Sequence, residues 1–237
     1  YLLKITSISF IKILKSLKFI FFKLIKKNPD PIWSIYYTDN SLKSLRNWKS
    51  LVSLNNNFYA DPFILNIKNN NFIIFEKYNF KKRKGEIYYI KADKNNQLIE
   101  TKLISNEEHL SYPYTFQKNG KYYLIPENNK KGINLYEIKL INEELRAIFR
   151  VNLLEGALAE PSYIHHDNYD FLFINSEDRN ILRLFYSKNI TTEKLIEHPM
   201  SPIIIDSRFS RGAGRIFHFN NKILRPSQNL SSQYGGG

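Results

Sequence analysis

The chain has 237 residues, 43% hydrophobic and 15% aromatic, enough to bury a core without metal or disulfide staples. It has no cysteine, which excludes a disulfide framework, a thiolate zinc site and a thiol nucleophile. The formal net charge is +13, but residues 1–28 hold seven lysines and no acid, so most of the excess sits in one short stretch. A nucleic-acid binder would carry its basic groove on the folded body, and no nucleic-acid partner is expected.

In chain order the first element is a helix. On a helical wheel Lys4, Lys12, Lys15, Lys18, Lys23, Lys26 and Lys27 share one half of the circle, while Leu3, Phe10, Ile13, Leu14, Leu17, Ile20, Phe21, Leu24 and Ile25 share the other. This predicts a cationic amphipathic α-helix over 3–25, within an N-terminal segment 1–28. Lysines every few residues exclude a membrane span, and the absence of a small-residue cleavage site excludes a clean signal peptide. Two placements stay open: on an anionic membrane surface, or packed against a neighbouring domain. The expected location is cytoplasmic, with 3–25 as the peripheral membrane contact.

From Trp33 the pattern turns to strands. Trp33–Tyr37 is an early strand, expected to close a ring by pairing into the last blade. Four phrases then recur about fifty residues apart: Tyr59-Ala60-Asp61-Pro62-Phe63, Ser111-Tyr112-Pro113-Tyr114, Ala159-Glu160-Pro161-Ser162 and Ser210-Arg211-Gly212-Ala213-Gly214. Their heads align as Asp61, Tyr112, Glu160 and Arg211. Fifteen positions after the first three heads, an apolar stretch ends in Glu76, Glu127 and Asn175; the fourth copy offers Arg225 at step fourteen. Between these marks lie strand pairs rich in Ile, Phe and Tyr, with turns at Lys68-Asn69-Asn70, Asn119-Gly120 and Asp167-Asn168.

A repeat of 40–50 residues holding several short strands predicts an all-β fold, a β-propeller, over 33–237. The parallel fifteen-residue offsets weigh against a β-sandwich. A propeller aims the start of each innermost strand at one central pit, where Asp61, Tyr112, Glu160 and Arg211 would meet. The chain reaches Gly237 one hairpin into the fourth unit, so five blades are expected, incomplete at the C-terminus of this fragment.

The blade-opening Ala60-Asp61-Pro62-Phe63 with a later Glu160-Pro161 resembles the family 43 glycoside hydrolases. The ordered set resembles more closely the N-terminal propeller of glucosamine inositolphosphorylceramide transferases and their bacterial counterparts. It comprises Tyr59–Phe63, Phe75-Glu76, His109-Leu110-Ser111-Tyr112-Pro113, Ile125-Pro126-Glu127, Leu135-Tyr136, His198-Pro199, Arg211–Gly214 and Arg225-Pro226-Ser227-Gln228. That likeness runs from about Trp33 to Gly237. Some bacterial relatives place the propeller after a formyltransferase-like domain, which implies an upstream catalytic domain as a partner.

Glycosidic chemistry needs one carboxylic acid to protonate the leaving oxygen and one carboxylate to activate the nucleophile. The family 43 resemblance implies Asp61 as base and Glu160 as acid, the catalytic pair. It also implies an Asp at the second blade head, where this chain has Tyr112; Glu127 or Glu76 could take over by raising a neighbouring carboxyl. Arg211 and Arg225 suit an anionic group on a sugar, as in a sugar phosphate or lipid-linked sugar; pairing of Arg211 with Asp61 or Glu160 is the alternative. His109 is a candidate to stack on or hydrogen-bond the ligand, a solvated edge histidine being the alternative. No metal is expected, since no three histidines have ligand spacing, and no cofactor, since there is no Gly-rich phosphate loop. The expected function is a carbohydrate-active propeller, handling a sugar or activated sugar by glycosyl transfer or hydrolysis in surface-glycan biosynthesis. The alternative is a non-catalytic sugar-recognition or interaction propeller attached to a separate catalytic domain.

Overall fold

The computed structural model describes residues 33–37, 48–51, 57–92, 98–104, 108–128, 131–176 and 180–230. The helix expected over 3–25 lies outside these residues. Contacts divide the chain between Trp33 and Ser34, and the unit beginning at Ser34 is all-β, with no helix among the described residues.

Three meandering antiparallel sheets follow one another. The first comprises β3 (Asn57–Ile67), β4 (Asn70–Asn79), β5 (Lys84–Ala92) and β6 (Leu98–Lys102), paired in that order. The second comprises β7 (Ser111–Lys118), β8 (Lys121–Glu127), β9 (Ile133–Ile141) and β10 (Glu144–Leu154). In the third, β11 (Ala159–His166), β12 (Tyr169–Asn175) and β13 (Ile181–Ser187) are joined by β14 (Ile196–Glu197) and β15 (Ile204–Ile205), both on β13. A fourth unit is represented by the hairpin β16 (Phe217–Phe219) and β17 (Lys222–Leu224), with a bridge between Gly212 and Ser227.

Turn chemistry fixes these hairpins. Lys68-Asn69, Asn119-Gly120, Asn142-Glu143, Asp167-Asn168 and Asn220-Asn221 each place both central residues at positive φ, the geometry whose twist matches the flanking strands. Asn and Asp tolerate it because their short polar side chains bond locally.

The cores lie between sheets. Leu65, Ile67, Phe72 and Ile74 of the first sheet pack with Leu124, Ile138 and Leu145 of the second. Phe116, Ile125 and Leu135 of the second pack with Tyr163, Leu172 and Ile174 of the third. Face-to-face stacking of consecutive meanders is the propeller arrangement. Asp170, fully buried, fastens the second and third blades near their turn ends. It accepts from Lys118 Nζ at 2.9 Å, Tyr163 OH at 2.8 Å and the Ile190 N–H at 2.8 Å, and His165 Nδ1 lies 2.9 Å away.

The early strand, β1 (Ile35–Tyr37), pairs on one of its edges with β2 (Lys49–Leu51), and Ile35 and Leu51 bury against Tyr59, Phe75 and Ile90 of the first blade.

Candidate functional site: a carboxylate pit at the blade heads

One bulge is built three times. In β3–β4 the register jumps between Ala60 and Phe63, in β7–β8 between Ser111 and Tyr114, and in β11–β12 between Ala159 and Ser162. The residues outside the ladder are Asp61-Pro62, Tyr112-Pro113 and Glu160-Pro161. The heads have φ of 49°, 42° and 52°. A bulge re-aims a side chain out of the alternating pattern. Proline has no N–H, so it leaves no ladder donor unpaired there. A non-glycine head at positive φ costs on the order of 1–3 kcal/mol, strain that clusters at functional sites.

On the neighbouring strand, Glu76 pairs with Ala60, Glu127 with Ser111 and Asn175 with Ala159, so the second polar position takes the same place in each blade. The fourth copy departs from this. Its turn begins nine residues after Arg211, against seven after the other heads. The longer hairpin moves Arg225 out of phase, and Ser227 and Gln228 take the inner place instead. Ser227 bridges Gly212, the Gln228 N–H donates to the Arg211 carbonyl at 3.2 Å, and Gln228 Nε2 donates to the Gly212 carbonyl at 3.0 Å.

The four heads come together. Arg211 Nη2 forms an ion pair with Glu160 Oε1, both side chains almost wholly buried. Glu160 Oε2 accepts the Gly212 N–H at 3.0 Å, and Glu127 Oε2 accepts the Glu160 N–H at 3.1 Å. The Tyr112 N–H donates to the Asp61 carboxylate. Tyr112 OH accepts the Gly214 N–H at 2.9 Å, and burial pushes its pKa up to about 12.

Asp61 remains partly exposed, whereas Glu76, Glu127 and Glu160 are buried. Loss of solvent pushes the Asp61 carboxyl up to about 6, Glu127 adding to the rise while Arg211 and the Tyr112 N–H oppose it. Glu76 is held well above the usual carboxylate range by burial first, then by Asp61 and Glu127. The carboxyls of Asp61, Glu76 and Glu127 thus form one interacting group. Glu160 differs: its ion pair and its N–H contact are both made to the carboxylate form.

The remaining expected residues have defined places. Arg225 donates to the Phe209 carbonyl at 3.0 Å and the Ser210 carbonyl at 2.6 Å, bracing the loop before Arg211. His109 Nδ1 accepts the Gly85 N–H at 2.8 Å, and the ring meets Tyr78 edge-on. Gly85 was not expected to matter. A Cβ there would overlap Glu76 Oε1 and come within 2.7 Å of the Leu110 carbonyl oxygen, so its bareness makes room for the Glu76 carboxyl. Its one sequence signal is that it ends the run Lys81-Lys82-Arg83-Lys84. Among the described residues no three His, Asp or Glu side chains are grouped to hold a metal.

Comparison with known proteins follows this geometry. The family model described as "Glucosamine inositolphosphorylceramide transferase 1, N-terminal" matches residues 34–237. Glucosamine inositolphosphorylceramide transferase 1 of Oryza sativa subsp. japonica is 29% identical over 190 residues, covering 76% of this chain and 25% of that protein. The Arabidopsis thaliana protein of the same name is 28% identical over 194 residues, covering 77% and 25%. The chain thus spans about a quarter of the length of the curated relatives it matches.

Among solved structures, xylan β-1,4-xylosidase from Bacillus halodurans C-125 aligns with a TM-score of 0.54 at 15% identity, covering 83% of this chain and 45% of that one. α-L-Arabinofuranosidase from Lactobacillus brevis aligns at 0.54 and 11%, covering 76% and 68%. A thermostable family-43 glycoside hydrolase aligns at 0.51 and 10%, covering 74% and 77%. At these identities the likeness carries the β-propeller fold and nothing finer.

Proposed function

Since the chain belongs to the family of N-terminal domains of glucosamine inositolphosphorylceramide transferase 1, we propose that its propeller, five-bladed when complete, handles a sugar in surface-glycan biosynthesis and holds it over the blade-head pit. The observation that carries this reading is the thrice-repeated bulge, which sets Asp61 and Glu160 near Arg211, with Glu76 and Glu127 on the neighbouring strands beside Asp61. Glu127 and Glu160 are used in linking the blades, whereas Asp61, the partly exposed member, is placed to accept a hydroxyl of a ligand. Recognition stands ahead of catalysis, because the Arg211 ion pair and the Gly212 N–H both engage Glu160, the residue the catalytic reading would need as its acid.

A second reading, glycosyl transfer or hydrolysis, is favoured by one feature. Asp61 is partly exposed with a pKa of about 6, and Glu76, its carboxyl pushed well above the usual range by burial, lies beside it. Asp61 would act as base, and Glu76 rather than Glu160 would be the proton store. The test is Asp61→Asn in the complete protein. On the recognition reading, sugar binding falls at least tenfold and no turnover depends on Asp61. On the catalytic reading, turnover is abolished while binding stays within about tenfold, or ~1.4 kcal/mol. Unchanged binding and unchanged turnover would remove the pit from both.

A further inference from the structure

The mouth of the pit carries groups that the pit itself does not use. β3 and β4 continue past the bulge, Asn57 pairing with Asn79 and Phe58 with Tyr78, and β5 follows them, Gly85 opposite Tyr78 and Lys84 opposite Asn79. The connection 80–83 therefore stands at the head end of the first blade, and Gly85, at its foot, touches the Glu76 carboxyl. Three half-buried rings form a cluster there. Phe58 stacks on Tyr78 at 4.8 Å, and Phe80 lies edge-on to both, at 5.5 and 5.7 Å. Next in sequence come Lys81, Lys82 and Arg83, all exposed. The backbone holds them in place, since the Lys82 N–H donates to Asn79 Oδ1 at 2.9 Å.

Within this run Lys84 has a carboxylate neighbour, Glu86 Oε1 at 3.6 Å, whose charge Lys82 also favours without pairing to it. Lys81, Lys82 and Arg83 have no side-chain hydrogen bond or ion pair among the described residues. The arginines that sequence reasoning assigned to an anion are engaged internally, Arg211 by Glu160 and Arg225 by two carbonyls. The carboxyls of Asp61, Glu76 and Glu127 already disfavour one another's charge, so a further negative group in the pit is disfavoured as well. On the sugar-handling reading above, a negative group on the ligand has to lie outward, where the cations are.

We propose that Phe58, Tyr78 and Phe80 with Lys81, Lys82 and Arg83 form a recognition element for a phosphorylated sugar ring, its phosphate on the three cations and its ring between the aromatic cluster and the pit. A phosphate monoester carries about −1.5 to −2 charges at pH 7 and three strong acceptor oxygens. Arg83 can meet two of them with its planar fork, while the lysines act as point charges. An aromatic face presents an apolar surface to the C–H face of a sugar. A soluble sugar phosphate offers this chemistry in full, and a phosphatidylinositol headgroup offers the ring with a singly charged phosphodiester.

The experiment is an amide and side-chain NMR titration of the full chain with glucose 1-phosphate, glucose and inorganic phosphate. It is joined by sedimentation with vesicles of phosphatidylcholine containing phosphatidylinositol or phosphatidylserine. Glucose 1-phosphate should shift the 80–85 amides and the Tyr78 ring, binding at least tenfold more tightly than glucose or phosphate alone. K81A/K82A/R83A should cost at least tenfold for the sugar phosphate. Phe80→Ala should weaken the sugar phosphate several-fold and leave inorganic phosphate unchanged. A headgroup source would appear as a preference for phosphatidylinositol over phosphatidylserine that the triple substitution removes. A soluble source would appear as glucose 1-phosphate binding with no such preference.

No response of residues 80–85 to glucose 1-phosphate together with no phosphatidylinositol preference overturns the proposal, as does unaltered affinity in a folded triple variant. If residues around Asp61 respond to glucose while the triple variant behaves as wild type, the rim assignment alone falls. If the rim responds and Asp61→Asn changes nothing, the pit reading falls instead.

Discussion

Asp61 carries the clearest conflict between folding and use. It sits at positive φ, loses solvent, and faces Glu127, so its carboxyl is pushed from the ordinary 3.8 up to about 6. The native state thus holds the proton more tightly than the unfolded chain does. The resulting penalty is absent below about pH 4, grows between 4 and 6, and is complete above, so stability falls as pH rises. At ~1.4 kcal/mol per unit the ceiling is about 3 kcal/mol, reduced by partial exposure. Glu76, also raised, adds a contribution of the same sign. Asp61→Asn keeps size and tolerates positive φ, so it should raise the melting temperature at pH 7 and flatten its dependence between pH 4 and 6.5, as thermal unfolding in matched buffers will show. The Glu160–Arg211 pair behaves oppositely. Arg211→Ala leaves a buried carboxylate without its counter-charge and should cost about 3–5 kcal/mol in chemical denaturation. Gly85→Ala should destabilise by about 1–3 kcal/mol through overlap with Glu76 and the Leu110 carbonyl, and Glu76→Ala in the same chain should recover part of that loss.

At the scale of elements, much was legible because two local codes agree. Alternating Ile, Phe and Tyr marks a half-buried strand, and Asn, Asp and Gly pairs mark turns at positive φ, so the first hairpins of three blades fall within a few residues of where the pattern places them. The blade heads were legible because Asp61-Pro62, Tyr112-Pro113 and Glu160-Pro161 recur at one phase. What failed was phase in the fourth copy, where two extra residues before Asn220-Asn221 put Arg225 against loop carbonyls. The partner of β1 was equally invisible, since a three-residue edge strand pairs with whatever edge lies open, and spacing does not name it. The pairing of Arg211 with Glu160 rather than with a ligand is decided by tertiary geometry alone. One element-scale prediction isolates backbone from packing: Gly120 has φ of 72° and open space around its Cβ position. Gly120→Ala should cost about 1 kcal/mol of stability from the left-handed conformation alone, whereas Asn119→Gly, in the same turn, should cost nothing measurable.

For the whole molecule, sheets stacked on sheets account for the cores, while basic charge is distributed unevenly. Seven lysines lie in residues 1–28, outside the described region, and three more exposed cations stand in the connection 80–83 at the head end of the first blade. Two separate sources of affinity for anionic vesicles are therefore proposed for the intact chain. Deleting residues 1–28 should remove the salt-sensitive part common to all anionic lipids, and K81A/K82A/R83A should remove headgroup discrimination; co-sedimentation at low and high salt separates them.

The hydrogen bonds that gather the pit also chain each blade to the next. Asp61 holds the Tyr112 N–H, Glu127 holds the Glu160 N–H, and Glu160 holds the Gly212 N–H. An acceptor in one repeat is thus matched to a backbone donor in its successor, and backbone donors survive any side-chain replacement. The acceptor half of each seam is a side chain, so a head can change only where another carboxyl takes over: with Tyr112 at the second head, Glu127 on the neighbouring strand holds the third blade's N–H. The groups that would meet a ligand at the hub are therefore also the groups that fasten one repeat to the next, and neither task can be altered without the other.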